Sequence, residues 1–170
     1  MQPHIKTLPE TLLAGQRQRL SLLADTTAVL WRSFGQRLRA RPFANDSARY
    51  SVQVYDATYF RPFRPEATFE KWAAVAVAHP QEVPADLELL VLPAGLYAVF
   101  DYKGPASDGP TVFRYILLDW LPASAYELDD RPHFEVLSAH YRPDDPAAEE
   151  EIWIPVKPRV VPPVSNLPLG

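Results

Sequence analysis

The sequence predicts an α+β domain in which a strand, helix and hairpin unit occurs twice. The copies join about a pseudo-twofold into one antiparallel sheet with two main helices on one side. Three observations predict it. Apolar helical stretches begin at Thr27 and Thr111, 84 residues apart, and Trp31 and Tyr115 keep that separation. The strand-like segments that follow carry Tyr50 and Val52 in one half and Phe134 and Val136 in the other, again 84 apart. Near the end of each half, Glu70-Lys71-Trp72 matches Glu151-Ile152-Trp153 at a separation of 81, as a three-residue difference in a loop allows. The repeats fall at about 1–80 and 86–157, within one domain over 1–157 that is followed by a proline-rich tail, 158–170.

The elements follow in order. Asp25 to Arg41 reads as the first helix. Asp25 or Thr26 is placed to cap it, and Leu30, Phe34 and Leu38 recur on one stripe beside Trp31. Arg37, Arg39 and Arg41 complement the dipole at its C-terminus before Pro42 stops it. Tyr50 to Tyr55 alternates Tyr50, Val52 and Val54 against Ser51, Gln53 and Tyr55, the period of a half-buried strand. Thr68 to Ala78 is a further strand, although its alanines leave a helix open. Leu87 to Leu92, a turn at Pro93-Ala94-Gly95, and Leu96 to Lys103 predict a hairpin.

Lys103 to Pro110 then serves as the turn into the second helix, Thr111 to Leu121, with Asp108 or Thr111 as cap and Pro122 as stop. Strands are expected over His133 to Ser138 and Glu149 to Lys157. Pro155, Pro158, Pro162, Pro163 and Pro168 predict that the segment from Pro155 onward is neither helix nor central strand. Two such units leave a groove along the pseudo-twofold between the helices, and that groove is the expected functional site.

Composition narrows the function classes. With 170 residues, 47% apolar and 12% aromatic, the chain can bury one substantial core. A net charge of −4 and the lack of a long Lys/Arg run argue against direct nucleic-acid binding, which needs clustered positive charge. The sequence has no cysteine, so disulfides, thiolate catalysis and Cys-based zinc sites are excluded, and a reducing cytoplasm is the expected location. Met1 to Leu13 lacks the apolar region of a secretory signal, and no run approaches the length of a membrane helix. His4, His79, His133 and His140 show no metal-ligand spacing. There is no G-x-S-x-G, and the segment around Gly104 and Gly109 lacks the ordered glycines of a phosphate loop. Neither metal nor cofactor is expected.

The last strand carries the sharpest candidate. Strand periodicity puts Glu149, Glu151 and Trp153 on one face and Glu150, Ile152 and Ile154 on the other. A carboxylate beside an indole suits a delocalised cation, through Coulomb attraction and a cation–π contribution of roughly 0.5–2 kcal/mol. The competing reading of Glu149 to Glu151 is a solvated acidic run at a strand's start. Glu70 is the pseudo-symmetric candidate for a paired carboxylate, with an exposed salt-bridged surface alongside Glu66 and Lys71 as its alternative.

Gly95-Leu96-Tyr97-Ala98-Val99-Phe100, Trp120-Leu121-Pro122-Ala123-Ser124-Ala125-Tyr126, Arg131-Pro132-His133-Phe134-Glu135-Val136 and Glu151-Ile152-Trp153-Ile154-Pro155-Val156 resemble, in order and spacing, the C-terminal half of GyrI-like domains, the AraC-type effector-binding family. Glu70-Lys71-Trp72-Ala73 resembles the less regular first half. The resemblance implies a duplicated module that binds small aromatic or cationic molecules, usually fused to a DNA-reading domain but here expected to stand alone, since the stretch before Thr27 is too short for a helix-turn-helix.

The resemblance also implies that Glu151 is the ligand-binding glutamate. Trp153, Tyr126, Trp31, Phe34, Tyr55, Trp72, Tyr97 and Trp120 are candidates for an aromatic wall, with core packing the competing reading of each. The expected partner is a small hydrophobic or cationic ligand, with a separate regulator protein as a further one. Two other functions fit the same family. In one, the domain is a hydrolase that opens strained-ring electrophiles, with Glu151 as general base and Tyr126 or Tyr97 supporting the leaving oxygen. In the other, it is a gyrase-inhibitor-like interaction module whose acidic stretch, Asp144 to Glu151, docks on a basic surface.

Overall fold

The computed structural model describes residues 1–41 and 47–160. Among these residues nine strands form one antiparallel sheet: β1 His4–Leu8, β2 Thr11–Ser21, β3 Arg49–Val54, β4 Thr68–Val77, β5 Glu88–Leu92, β6 Gly95–Lys103, β7 Tyr126–Leu128, β8 His133–Leu137 and β9 Glu149–Pro158. Their order is β1-β6-β9-β8-β3-β4-β2-β5, with β7 pairing the end of β9. Helix α1, Thr27–Leu38, buries Leu30, Phe34 and Leu38 against Ala14, Ala73 and Val75, as its apolar stripe requires. Asp25 accepts the Thr27 N–H at 2.9 Å, while Thr26 holds the N-cap position. Pro42, the expected stop, lies outside the described residues.

The second helical segment starts earlier and ends later than its apolar pattern suggests. It comprises α2, Gly109–Tyr115, a π-helical stretch Ile116–Trp120, and α3, Leu121–Ala123. Pro122 therefore sits within the helical segment instead of closing it. The wider π turn just before it relaxes the hydrogen-bond ladder where proline has no N–H to give. Val112, Ile116 and Leu121 pack on Ala98, Phe100, Ile152 and Ile154. Both helices thus cover the same face of the sheet.

The central pairing carries the twofold. Ser51 and Glu135, 84 residues apart, are direct ladder partners, flanked by Tyr50↔Val136 and Val52↔Phe134. The axis therefore passes between Ser51 and Glu135. The same separation relates β1 to β5, His4 to Glu88 and Leu8 to Leu92, and it relates the first residues of β2 and β6, Thr11 and Gly95.

Three expectations are corrected here. The hairpin over Leu87 to Lys103 does not form, because β5 pairs with β2 and β6 pairs with β1 and β9. Each short strand crosses to the other half's edge. The link from Leu8 to Thr11 spans three Cα steps, about 11 Å at 3.8 Å each. The same holds from Leu92 to Gly95. These links tie one edge of the sheet to the other, so the sheet curls and its edges meet at this end. That closure buries the helix-free face, where Leu13 and Leu92 from one end share a cluster with Tyr97 and Val99 from the other.

The second correction concerns proline. Pro155 lies inside β9, opposite Tyr97, and β9 continues to Pro158. The β8 ladder has ended at Trp153 by then, and the carbonyl of Pro155 accepts the Asp129 N–H at 3.0 Å, so no pairing partner is left waiting for a missing N–H. Pro162, Pro163 and Pro168 lie outside the described residues.

Third, the match of Glu70-Lys71-Trp72 to Glu151-Ile152-Trp153 is two residues out of register. Tyr50 pairs with Ala74 and its counterpart Phe134 with Trp153, while Val52 pairs with Trp72 and its counterpart Val136 with Glu151. The counterpart of Glu151 is therefore Trp72, and that of Trp153 is Ala74. A slip of two leaves every side chain on its own face, so alternation cannot detect it.

Candidate functional site

Glu151 projects from β9 on the face away from the helices, so it does not line the groove expected between them. Its Oε2 accepts the Trp153 indole N–H at 2.9 Å, and its Oε1 lies 3.2 Å from the Lys6 ammonium, which in turn sits 5.4 Å over the Trp153 ring. Trp153 stacks on Phe134 at 5.1 Å and 18°, and Tyr97 meets both edge-on at 5.7 and 5.3 Å. Tyr50 closes the row at 5.9 Å from Phe134. Its hydroxyl pKa is raised by burial and then by the Glu151 charge.

The floor is fixed by Arg131. Its guanidinium bonds Asp129 at 2.7 Å and the Leu96 and Val156 carbonyls at 2.5 and 3.3 Å, and it lies 4.5 Å over the Tyr97 ring. Tyr97 is fully buried and donates to the Pro132 carbonyl at 3.1 Å. Burial holds its pKa up at about 12, so its hydroxyl stays neutral and structural.

Beside Glu151 opens a cavity of about 430 Å³ lined by Asp101, Tyr102, Lys103, Val136, Glu149, Glu150 and Glu151. Four acidic side chains stand against one lysine, which is bound to Glu149 at 3.0 Å. Asp101 and Glu151 are direct ladder partners on β6 and β9. Like charges set opposite one another in a ladder destabilise the sheet. The Lys6 ammonium of β1 offsets this repulsion at Glu151, and His4 of the same strand lies 3.5 Å from Asp101.

The other expected wall residues divide by face. Trp72 shares the helix-free face but lies beyond β8 and β3, under the Arg17 guanidinium at 5.6 Å. Glu70 is bound to that arginine at 2.7 Å, so it makes no paired-carboxylate site with Glu151. Phe34 is wholly buried under α1 with Trp31 edge-on at 6.0 Å, Trp120 packs edge-on against Phe100 at 5.1 Å, and Tyr126 belongs to the α2 core. Tyr55 sits with Phe60 and His133 on the helix side. None of these five meets Glu151. The pairing of Glu151 with Tyr126 in a hydrolytic step is thereby corrected, because the sheet stands between them.

Sequence reasoning missed Lys6, Asp101, Phe134 and Tyr50. The repeat of 84 held the signal for β1, since it maps His4–Leu8 onto the strand read at Leu87 to Leu92. It also missed a buried polar strip on the helix face. Gln53 donates to both oxygens of Glu135 at 2.9 and 3.0 Å, the Lys71 ammonium lies 3.6 Å from Glu135, and all three are buried. Next to them the Glu150 carboxyl is pushed up to about 7 by burial and then by the Glu135 charge, against opposing contributions from the Tyr141 hydrogen bond and Lys71. His133, buried and beside Arg131, is pushed down to about 3 and is neutral.

Over residues 1–157 the sequence matches the GyrI-like small molecule binding domain family. The chain belongs to that family. Its fold is that of SAV2435, solved bound to tetraphenylphosphonium, with a TM-score of 0.69, 15% identity, and coverage of 92% of this chain and 94% of that one. The EcmrR C-terminal domain superposes with a TM-score of 0.68 at 18% identity, covering 93% and 98%. A hydrolase from Listeria innocua reaches 0.56 at 10% identity, covering 92% of each chain. No curated protein matches the sequence. Among the described residues of this GyrI-like chain, no helix is long and apolar enough to cross a membrane.

Proposed function

We propose that this GyrI-like domain binds aromatic, lipophilic cations at the acidic cavity beside Glu151, with Glu151 as the counter-charge and Trp153 as the stacking surface. The observation that carries the reading is the Glu151 carboxylate held at 2.9 Å by the Trp153 indole N–H, at the edge of a cavity of about 430 Å³ with three further acidic side chains in its lining. A delocalised cation gains from both groups, since the ring attracts it and the carboxylate balances its charge in a partly desolvated setting. Tyr97 and Phe134, both buried, back the Trp153 ring, and half-buried Tyr50 continues the row. The likeness to SAV2435, solved with such a cation, supports the ligand class.

Isothermal titration with tetraphenylphosphonium tests it, with triphenylphosphine oxide as an uncharged aromatic. The expected result is saturable binding of the cation that falls at least tenfold, about 1.4 kcal/mol, in Glu151→Gln while the variant's unfolding transition stays cooperative. Equal affinity of folded wild type and variant removes Glu151 from the site.

A further inference from the structure

We propose that Lys6 is a resident cation in the ligand site, occupying the place an aromatic cation takes, and that its displacement sets how tightly this chain accepts charged ligands. The inference rests on the cation-binding reading of the Glu151–Trp153 pair and adds to it the residue that selects among ligands. Lys6 pairs with Tyr97 in the β1–β6 ladder, yet its side chain crosses Trp153 to put the ammonium 5.4 Å over that ring and 3.2 Å from the Glu151 carboxylate. These are the two interactions an aromatic cation seeks.

The twofold explains why a lysine stands there. In the first half, Arg17 lies opposite Trp72 in the ladder and binds Glu70 at 2.7 Å and Glu88 at 3.1 Å. Shifted by 84, Arg17 becomes Asp101 and Glu88 becomes His4, so the second half carries the same contact, at 3.5 Å, with a carboxylate in the arginine's place. The exchange leaves Glu151 facing a carboxylate across the ladder instead of an arginine, and Lys6 supplies the missing positive charge from β1.

The two cations differ in how firmly they are held. Arg17 rides on the eleven-residue β2, an inner strand of the sheet that pairs β4 from Leu12 to Ser21, and is bound by two carboxylates. Lys6 rides on a five-residue edge strand paired only with β6 and has one carboxylate partner. An ammonium on a flexible four-carbon stem swings into water without disturbing its backbone. The second-half site is therefore the one a ligand can enter. A cation must evict Lys6, whereas a neutral aromatic leaves the ion pair intact.

The test is titration of tetraphenylphosphonium and triphenylphosphine oxide into wild type, Lys6→Met, Lys6→Arg, Glu151→Gln and the Lys6→Met/Glu151→Gln double variant, each checked for cooperative unfolding. Lys6→Met is expected to bind the phosphonium at least tenfold more tightly, with the neutral oxide changed less than twofold. Lys6→Arg, which keeps the charge and the strand, is expected to stay within threefold of wild type. In the Glu151→Gln background Lys6→Met is expected to lose its effect. Unchanged or weaker phosphonium binding in Lys6→Met, while Glu151→Gln still weakens it, overturns the role of Lys6 and leaves the cation site standing. Binding that is indifferent to Glu151 overturns both, as does phosphonium binding by none of the variants.

Discussion

Replacing Glu150 with glutamine removes a carboxyl that burial, and then the Glu135 charge, holds at about 7 against an ordinary 4.5. Below pH 4.5 this group is protonated in both folded and unfolded chains. Between 4.5 and 7 the folded protein keeps a proton that the unfolded chain has released, so stability falls as pH rises, and above 7 the loss is complete. A displacement of about 2.5 pKa units corresponds to roughly 3.4 kcal/mol at about 1.36 kcal/mol per unit. About 2.5 kcal/mol of that falls between pH 5 and 8. The side chain is only partly buried, and solvent screening reduces the expectation to about 1–2.5 kcal/mol. Urea unfolding of wild type and Glu150→Gln at pH 5 and pH 8 measures it, the difference between the two proteins cancelling the titration of all other groups. The variant is expected to gain stability relative to wild type by that amount from pH 5 to pH 8. A difference that stays constant within about 0.3 kcal/mol refutes the account of Glu150 as a partly buried carboxyl under Glu135's field.

His133 has the opposite sign: burial depresses its pKa to about 3, so its contribution is present above the ordinary 6.5 and is lost as pH falls toward 3. His133→Phe, which preserves stacking against Phe60, is expected to flatten the acid limb of the melting temperature between pH 6.5 and 4, while a parallel acid limb in wild type and variant contradicts this. Gly15→Ala places a Cβ 2.6 Å from the Ala73 carbonyl oxygen and 2.7 Å from the Ala74 Cβ, where backbone on the neighbouring strand must move. A loss of about 1–3 kcal/mol is expected in urea unfolding, and a loss below about 0.5 kcal/mol shows that β2 and β4 part more easily than their ladder suggests.

What was legible in the sequence is what local periodicity encodes. Leu30, Phe34 and Leu38 mark the buried stripe of α1 because a helix repeats every 3.6 residues, and the faces of β9 follow from alternation alone, which is why Glu151 and Trp153 were placed together correctly. What stayed hidden is set by partners distant in sequence. Pro93-Ala94 has the chemistry of a hairpin turn, yet β5 is drawn to the opposite edge by β2, and turn composition does not record that choice. The polar strip of Gln53, Lys71 and Glu135 reads as a solvent face in any alternation count, since burial of a satisfied ion pair leaves no mark on the pattern.

The strand exchange joins these two failures and bears on the site. A simple hairpin over β5 and β6 would leave β1 on its own half, next to β2, far from Glu151. Crossing over brings His4 and Lys6 of the first repeat onto Asp101 and Glu151 of the second, so the candidate site is assembled from both halves. The slip of two residues between β4 and β9 completes the asymmetry, giving one half a tryptophan and a glutamate where the other has Ala74 and Trp72. Duplication supplies the curled sheet, and departures from the duplication, each invisible to a period-two pattern, make one end of it acidic and aromatic.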